Sequence, residues 1–164
     1  MRQVTTLTFF SFKSNKFWAF SQMAIAPNQL KNTKGLSFFK FLGTGGGQGF
    51  SLRPDFSTYA FLGVWDHLST YKNCLESHPV FIGYKKKAFA QRDLVLSPIK
   101  SHGLWSGENP FSNDAINSKK KTSNYKAVVI TRATLHWNRL FSFWKSVPAA
   151  SKAIKKANGI YYYK

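Results

Sequence analysis

The sequence predicts an α+β chain assembled from strand–helix–strand units, with an early unit echoed late in the chain. Three observations predict this. From Gln3 to Phe12 the residues alternate: Val4, Thr6, Thr8, Phe10 and Phe12 fall on one side and Thr5, Leu7, Phe9 and Ser11 on the other. From Val4 to Phe12 all but the serine are β-branched, aromatic or leucine, the pattern of a buried strand. From Lys16 to Leu30 the apolar residues Phe17, Phe20, Met23, Ala24 and Leu30 recur at helical spacing, and Lys34-Gly35 supplies a stop. Finally, Val128 stands to Val4 as Phe141 stands to Phe17, Trp144 to Phe20 and Gly159 to Gly35, and Gly35 to Lys40 matches Gly159 to Lys164. A recurrence at fixed spacing implies two similar supersecondary units.

The remaining elements follow in order. Pro27 is expected to bend or break the first helix, because proline lacks the amide proton that the helix needs. Leu36 to Leu42 reads as an aromatic strand, and Gly43 to Phe50 as a glycine-rich loop able to approach a ligand closely. Thr58 to Trp65 is a strongly apolar strand. Leu68 to Lys87 is helical in two pieces separated near His78-Pro79, and Arg92 to Ile99 is a strand. The polar stretch Ser112 to Asn124 reads as a linker. Tyr125 to Leu135 is the clearest strand of all, Asn138 to Lys156 a helix bent by Pro148, and Ile160 to Tyr163 the start of another strand. The expected organisation is therefore a first unit over 1–111, a linker over 112–124 and a partial second unit over 125–164. That second unit has no counterparts of the Thr58 to Trp65 strand, the Leu68 to Lys87 helices or the Arg92 to Ile99 strand, so the repeat is expected to be truncated.

Lys and Arg number 24 against six acids, a formal charge of +18. Such a surplus admits nucleic acid, an anionic membrane surface or an acidic protein as partner, and charge alone does not choose among them. The runs Lys85-Lys86-Lys87 and Lys119-Lys120-Lys121 read as solvated surface. Cys74 is the only cysteine, which excludes an intrachain disulfide and a multi-cysteine zinc site and fits a cytoplasmic location. Lys13 and Lys16 interrupt the apolar N-terminal stretch, and Pro27 follows Ala24-Ile25-Ala26, so no secretory leader is expected. Phe17 to Leu30 is too short and too polar to span a bilayer.

Several chemistries can be set aside. The glycines from Gly43 to Gly49 lack the Lys-Ser/Thr of a phosphate loop and fit no G-x-G-x-x-G register. The four histidines His67, His78, His102 and His136 show no metal-ligand spacing, and six scattered acids offer no paired carboxylates. Hydrolysis is not supported. Aromatic residues make up 17% of the chain, enough for a densely packed core or a pocket for a flat apolar molecule. Trp105 to Phe111 is a compact turn sequence placed to line a cavity mouth.

Particular segments carry a resemblance. Phe17-Trp18-Ala19-Phe20-Ser21-Gln22-Met23, Phe39-Lys40-Phe41-Leu42-Gly43-Thr44-Gly45, Gly49-Phe50-Ser51, Trp105-Ser106-Gly107 through Pro110-Phe111, Thr131-Arg132-Ala133-Thr134 and Phe143-Trp144-Lys145-Ser146-Val147-Pro148 together resemble the spheroidene monooxygenase family. The resemblance covers nearly the whole chain in the family's order. It implies a ferredoxin-like, tandem dimeric α+β-barrel fold whose second repeat is incomplete here. It further implies haem as cofactor and oxidation of an acyclic carotenoid at C-2 with O2 and a reduced ferredoxin-type electron donor. The family continues beyond the position of Lys164, including a histidine-bearing strand that is a candidate for haem ligation. As motif members, Trp18, Gln22, Lys40, Phe50, Trp105 and Arg132 are the expected pocket residues. No catalytic residue or metal ligand is assigned. Expected partners are the apolar carotenoid, the electron donor and, peripherally, an anionic membrane. Two other readings remain open at this point: a basic nucleic-acid-binding module, and a non-catalytic relative that only binds an apolar ligand.

Overall fold

A computed structural model describes residues 3–46, 54–111 and 126–131, together with 145, 147, 152, 154, 156 and 159. The chain divides into two compact units, one of Met1–Leu42 with Phe56–Lys126 and the other of Gly43–Asp55 with Ala127–Lys164. The described elements run β1 (Val4–Ser11), α1 (Lys16–Leu30), β2 (Leu36–Gly45), β3 (Pro54–Trp65), α2 (Leu68–Ser77), α3 (Pro79–Lys87) and β4 (Ala90–Leu96). The strands form one four-stranded sheet in the order β2-β3-β1-β4. β1 pairs antiparallel with β3, from Val4 opposite Trp65 to Ser11 opposite Thr58, and with β4, from Thr5 opposite Leu96 to Ser11 opposite Ala90. Strand, helix, two strands, helices, strand, with β1 and β3 central, is the ferredoxin-like arrangement. The α+β fold expected from the sequence is the one observed.

β1 forms where alternation predicted it, and α1 spans the expected residues. α1 runs unbroken through Pro27. Proline there costs one backbone hydrogen bond, but Ala19, Ala26 and Leu30 of the same helix are fully buried, and tertiary packing outweighs the local penalty. The second helical stretch breaks between α2 and α3 as expected. His78 is extended at φ −76° and ψ 129°, the conformation that a following proline favours, and its imidazole accepts a hydrogen bond from Val80 N at 3.3 Å to cap α3. Lys85, Lys86 and Lys87 occupy the last turn of α3, where cations complement the helix dipole.

Other boundaries differ. β2 continues through Gly45, so the first glycines of the expected loop belong to a strand, and β3 begins at Pro54 rather than Thr58. Gly47 to Arg53 lie outside the described residues. β4 spans Ala90–Leu96, earlier than the expected Arg92 to Ile99, because its ladder follows β1 from Ser11 to Thr5 and Pro98 then offers no amide proton. The strand expected over Tyr125 to Leu135 is not formed where it can be seen. Residues 126–131 have no regular structure, and Val128 and Val129 are exposed. High strand propensity alone does not make a strand. In the expected late helix, residues 145, 147, 152, 154 and 156 are helical. The linker over 112–124 and the strand at Ile160 to Tyr163 lie outside the described residues.

The core of the first unit sits between one face of the sheet and the helices. Phe10 and Phe12 of β1, Tyr59, Phe61 and Trp65 of β3, Ala19, Ala26 and Leu30 of α1, and Phe81 and Tyr84 of α3 form one buried cluster. Phe61 meets Phe81 edge to face at 4.9 Å, and Tyr84 stacks on Phe41 at 5.9 Å. Each fully buried aromatic contributes roughly 2 kcal/mol of transfer free energy. The buried threonines of β1 are matched to partners on this side. Trp65 Nε1 donates to Thr6 Oγ1 at 2.9 Å, and Thr8 Oγ1 lies 2.8 Å from the Tyr71 hydroxyl, which itself donates to Asp93 Oδ1 at 2.8 Å. Because the single tyrosine proton goes to the carboxylate, Thr8 is the donor in its pair.

Candidate functional site on the outer face of the sheet

Side chains alternate along a strand, so the faces of the sheet can be separated by residue. On β2, Phe39 and Phe41 pack into the helix-side core. Phe38, Lys40 and Leu42 therefore project from the opposite, outer face. On β3 the outer residues are Ala60, Leu62 and Val64, and on β1 they are Thr5, Leu7 and Phe9. Among the described residues of the first unit no helix packs on this face, yet Leu62 and Val64 are 0% exposed, Leu7 6% and Thr5 2%. Both faces of the central strands are thus buried. The outer one is almost wholly apolar, and Thr5 Oγ1 within it is buried with no hydrogen-bond partner among the described residues. An orphaned hydroxyl in an apolar wall is costly, and it is what a polar atom of a ligand would satisfy.

A short hairpin brings Trp105 to this face. Trp105 N donates to Glu108 O at 2.7 Å, and the two residues form an isolated antiparallel bridge. Between them Ser106 at φ 59° and Gly107 at φ 93° are both left-handed, the backbone of a two-residue turn with positive φ at both positions. Asn109 fixes the hairpin from below, its Oδ1 accepting from Phe111 N at 3.2 Å and from Ser101 Oγ at 3.0 Å. Trp105 meets Phe38 edge to face at 6.2 Å and Phe111 at 6.2 Å, and it is buried. Lys40 Nζ lies over the same Phe38 ring, 5.5 Å from its centroid. Phe38 is thus the joint between two expected pocket residues, an aromatic and a cation that approach it from different segments.

The other expected residues are placed elsewhere or not described. Trp18 sits on α1, on the helix side of the sheet, 5.3 Å from Tyr84 and 6.3 Å from Phe12, with Lys87 Nζ 5.2 Å above its ring. Gln22 is half-buried one turn further along α1. The sheet separates this pair from Lys40 and Trp105. Phe50 and Arg132 lie outside the described residues. The sequence reasoning missed Phe38 and Thr5. The alternation of β1 already placed Thr5 on the side away from Phe10 and Phe12, but nothing in the sequence said which side faces the helices.

The haem implied by the resemblance needs an axial side chain and a slot wide enough for a macrocycle. Among the described residues no three His, Cys, Asp or Glu side chains gather to hold a metal ion. His78 is engaged as a helix cap and packs on Phe81, while His67 and His102 are exposed. Cys74 is buried in the helix-side core, where burial pushes its thiol up to about 11 and keeps it protonated. Two grooves of the described surface, one at Gln3, Gly35, Leu36, Ser37 and Asp66 and one at Lys16, Phe17, Phe20 and Phe56, have no histidine in their described lining. His136 lies outside the described residues. No described helix is long and apolar enough to cross a membrane.

No protein-family model matches the chain. Among known proteins it is similar to a spheroidene monooxygenase of Rhodobacter capsulatus, 28% identical over 153 residues, which covers 92% of this chain and 63% of that protein. It is also similar to a spheroidene monooxygenase of Cereibacter sphaeroides, 26% identical over 163 residues, covering 98% of this chain and 49% of that protein. The chain thus spans about half to two thirds of the length of these relatives. Among solved structures, SnoaB, a cofactor-independent oxygenase from Streptomyces nogalater, aligns over 62% of this chain and 97% of its own, at 12% identity and a TM-score of 0.46. A dabb family protein with a ferredoxin-like fold from Mesorhizobium loti aligns over 61% and 100%, at 14% identity and a TM-score of 0.42. By sequence, then, the chain is similar to the spheroidene monooxygenases over the part of their length that it spans.

Proposed function

We propose that this chain supplies a substrate-lining wall of a carotenoid monooxygenase that oxidises an acyclic carotenoid at C-2. The supporting observation is the outer layer of the sheet, where Leu7, Leu62, Val64, Phe38 and Trp105 pack as a buried apolar layer, with the Lys40 ammonium over the Phe38 ring, of the kind that backs a pocket for an apolar molecule. A polyene is long, flat and nearly devoid of hydrogen-bonding atoms. A wall of aliphatic and aromatic side chains with few polar groups is the surface that holds such a molecule in one orientation. The similarity to spheroidene monooxygenases over almost the whole chain supports the same reading.

In a monooxygenation one oxygen atom of O2 enters a C–H bond and the other leaves as water, with two electrons and two protons drawn from a reduced donor. The role assigned to these residues is binding and orientation, and the activated oxygen must come from groups held outside them. In the test, purified chain is supplied with an acyclic carotenoid in detergent micelles, O2 and a reduced ferredoxin-type donor, and products are separated by chromatography and mass spectrometry. Gain of oxygen at C-2, weakened by Trp105→Ala, supports the proposal. Carotenoid bound without turnover points instead to a non-catalytic apolar-ligand-binding relative, and no bound carotenoid at all overturns it. A Soret absorbance band in the purified protein tests haem separately.

A further inference from the structure

One end of the first unit has an unusual surface. β1 ends at Ser11, α1 begins at Lys16, α3 ends at Lys87 and β4 begins at Ala90. Phe89 N donates to Ser11 O at 2.9 Å and Phe12 N donates to Ser57 O at 2.7 Å, so these termini and Phe56 meet at the same end of the sheet. There the large apolar side chains point outward: Phe17 is 84% exposed, Phe89 58%, Phe20 52% and Phe56 48%. Scattered exposed apolar residues are ordinary, but these are gathered. Phe20 and Phe56 meet at 5.6 Å, and with Phe17 and Lys16 they line an open groove of about 380 Å³.

The charge at this end is predominantly positive, with Asp55 beside Phe56 as an acid against a cluster of lysines. Residues 11–20 and 84–90 contain Lys13, Lys16 and the run Lys85 to Lys87, and no acid. Lys13 Nζ stands 5.0 Å above the Phe89 ring and Lys87 Nζ 5.2 Å above the Trp18 ring. Each stem lies along an aromatic surface and each ammonium stands above it, the posture of a lysine at an apolar–polar boundary.

From this arrangement we infer that the end bearing Lys13, Lys16, Phe17, Phe20, Phe56 and Phe89 docks on an anionic lipid surface, with the phenylalanines entering the headgroup–acyl boundary and the lysines contacting lipid phosphates. Charge complementarity selects the occupant. A second copy of this chain, itself carrying +18, would bring like charges together. A nucleic-acid strand would match the charge, but the edge-to-face contact of Phe20 with Phe56 at 77° already occupies ring face that a stacking base would need. Acyl chains need only an apolar groove rimmed by cations, which is what is present. This inference stands apart from the carotenoid reading and survives its failure.

Vesicle co-sedimentation of the full chain tests it, using phosphatidylcholine vesicles with and without phosphatidylglycerol, at low and high salt. The expected result is partition onto the anionic vesicles that falls with salt, and that drops about tenfold or more in Phe17→Ser/Phe20→Ser. Lys13→Glu/Lys16→Glu should weaken it as well, and circular dichroism should match the parent for both variants because the altered side chains are exposed. Three outcomes overturn the inference: no partition onto anionic vesicles, equal partition onto neutral ones, or partition insensitive to the phenylalanine pair. A single-stranded oligonucleotide is the competitor control. Tight oligonucleotide binding that is lost in the phenylalanine variant, without vesicle binding, assigns the surface to nucleic acid instead.

Discussion

Phe38 and Trp105 meet edge to face at 6.2 Å although they belong to different segments, one on an edge strand and one in a two-residue hairpin. The contact closes the outer face of the sheet over β2. Trp105→Ala removes the side chain that covers Phe38 and leaves a void. We expect a loss of about 3 kcal/mol in urea unfolding, and a smaller loss for Trp105→Phe, which keeps an aromatic edge against Phe38. Equal stability of Trp105→Ala and the parent would show that the hairpin does not pack on the sheet in solution.

Tyr71 ties α2 to both neighbouring strands, accepting from Thr8 and donating to Asp93 Oδ1 at 2.8 Å. Tyr71→Phe keeps the ring but leaves the buried Thr8 hydroxyl without its acceptor and Asp93 with one donor fewer, Gln91 Nε2 remaining on its Oδ2 at 2.8 Å. The expected cost is about 1–2 kcal/mol, measured by chemical denaturation. Asp93→Asn, which still accepts through its amide oxygen, should cost less than Tyr71→Phe.

Gly63 sits opposite Thr6 on β3, and a Cβ there would stand 2.5 Å from Trp65 Nε1 and 2.8 Å from Phe61 Cε1. Gly63→Ala should therefore displace the indole from Thr6 and cost about 2 kcal/mol or more. A Cβ on Gly43 would meet nothing within 4 Å, so Gly43→Ala is the control and should leave thermal unfolding nearly unchanged.

Burial holds the Cys74 thiol at about 11 against an ordinary 9.0. A folded-state pKa raised in this way adds stability that is complete below 9.0 and is lost as the pH climbs from there to about 11. At pH 8 the folded protein should react with a disulfide reagent only as fast as it opens, and denaturant should release a rapid reaction of one thiol. Rapid modification without denaturant would show the α2 core to be open.

The sequence was most informative where a local pattern coincided with the tertiary one. Alternation from Gln3 to Phe12 gave β1, and Pro79 gave the break between α2 and α3, because proline acts on its own neighbours whatever surrounds it. Strand lengths were less legible. β2 and β3 extend into glycine and proline because each borrows its ladder from the other, which propensity does not register. The Tyr125 to Leu135 segment is the converse, strong in propensity yet without regular structure at 126–131. The candidate site was legible only in part. Lys40 and Trp105 meet through Phe38, whereas Trp18 and Gln22 lie across the sheet. Motif order along a chain says nothing about which face of a strand a residue occupies until the register is known.

β1 lies in the middle of the sheet, yet it precedes both of its neighbours in the chain, and its ladder runs to Thr58–Trp65 on one side and Ala90–Leu96 on the other. During synthesis this strand has nothing to pair with until dozens of later residues have emerged, so its apolar and hydroxyl side chains wait unsatisfied. Three of the four strands have been made by Trp65, but β1 keeps an unpaired edge until Leu96 emerges, so a chain halted before Leu96 is expected to expose that edge.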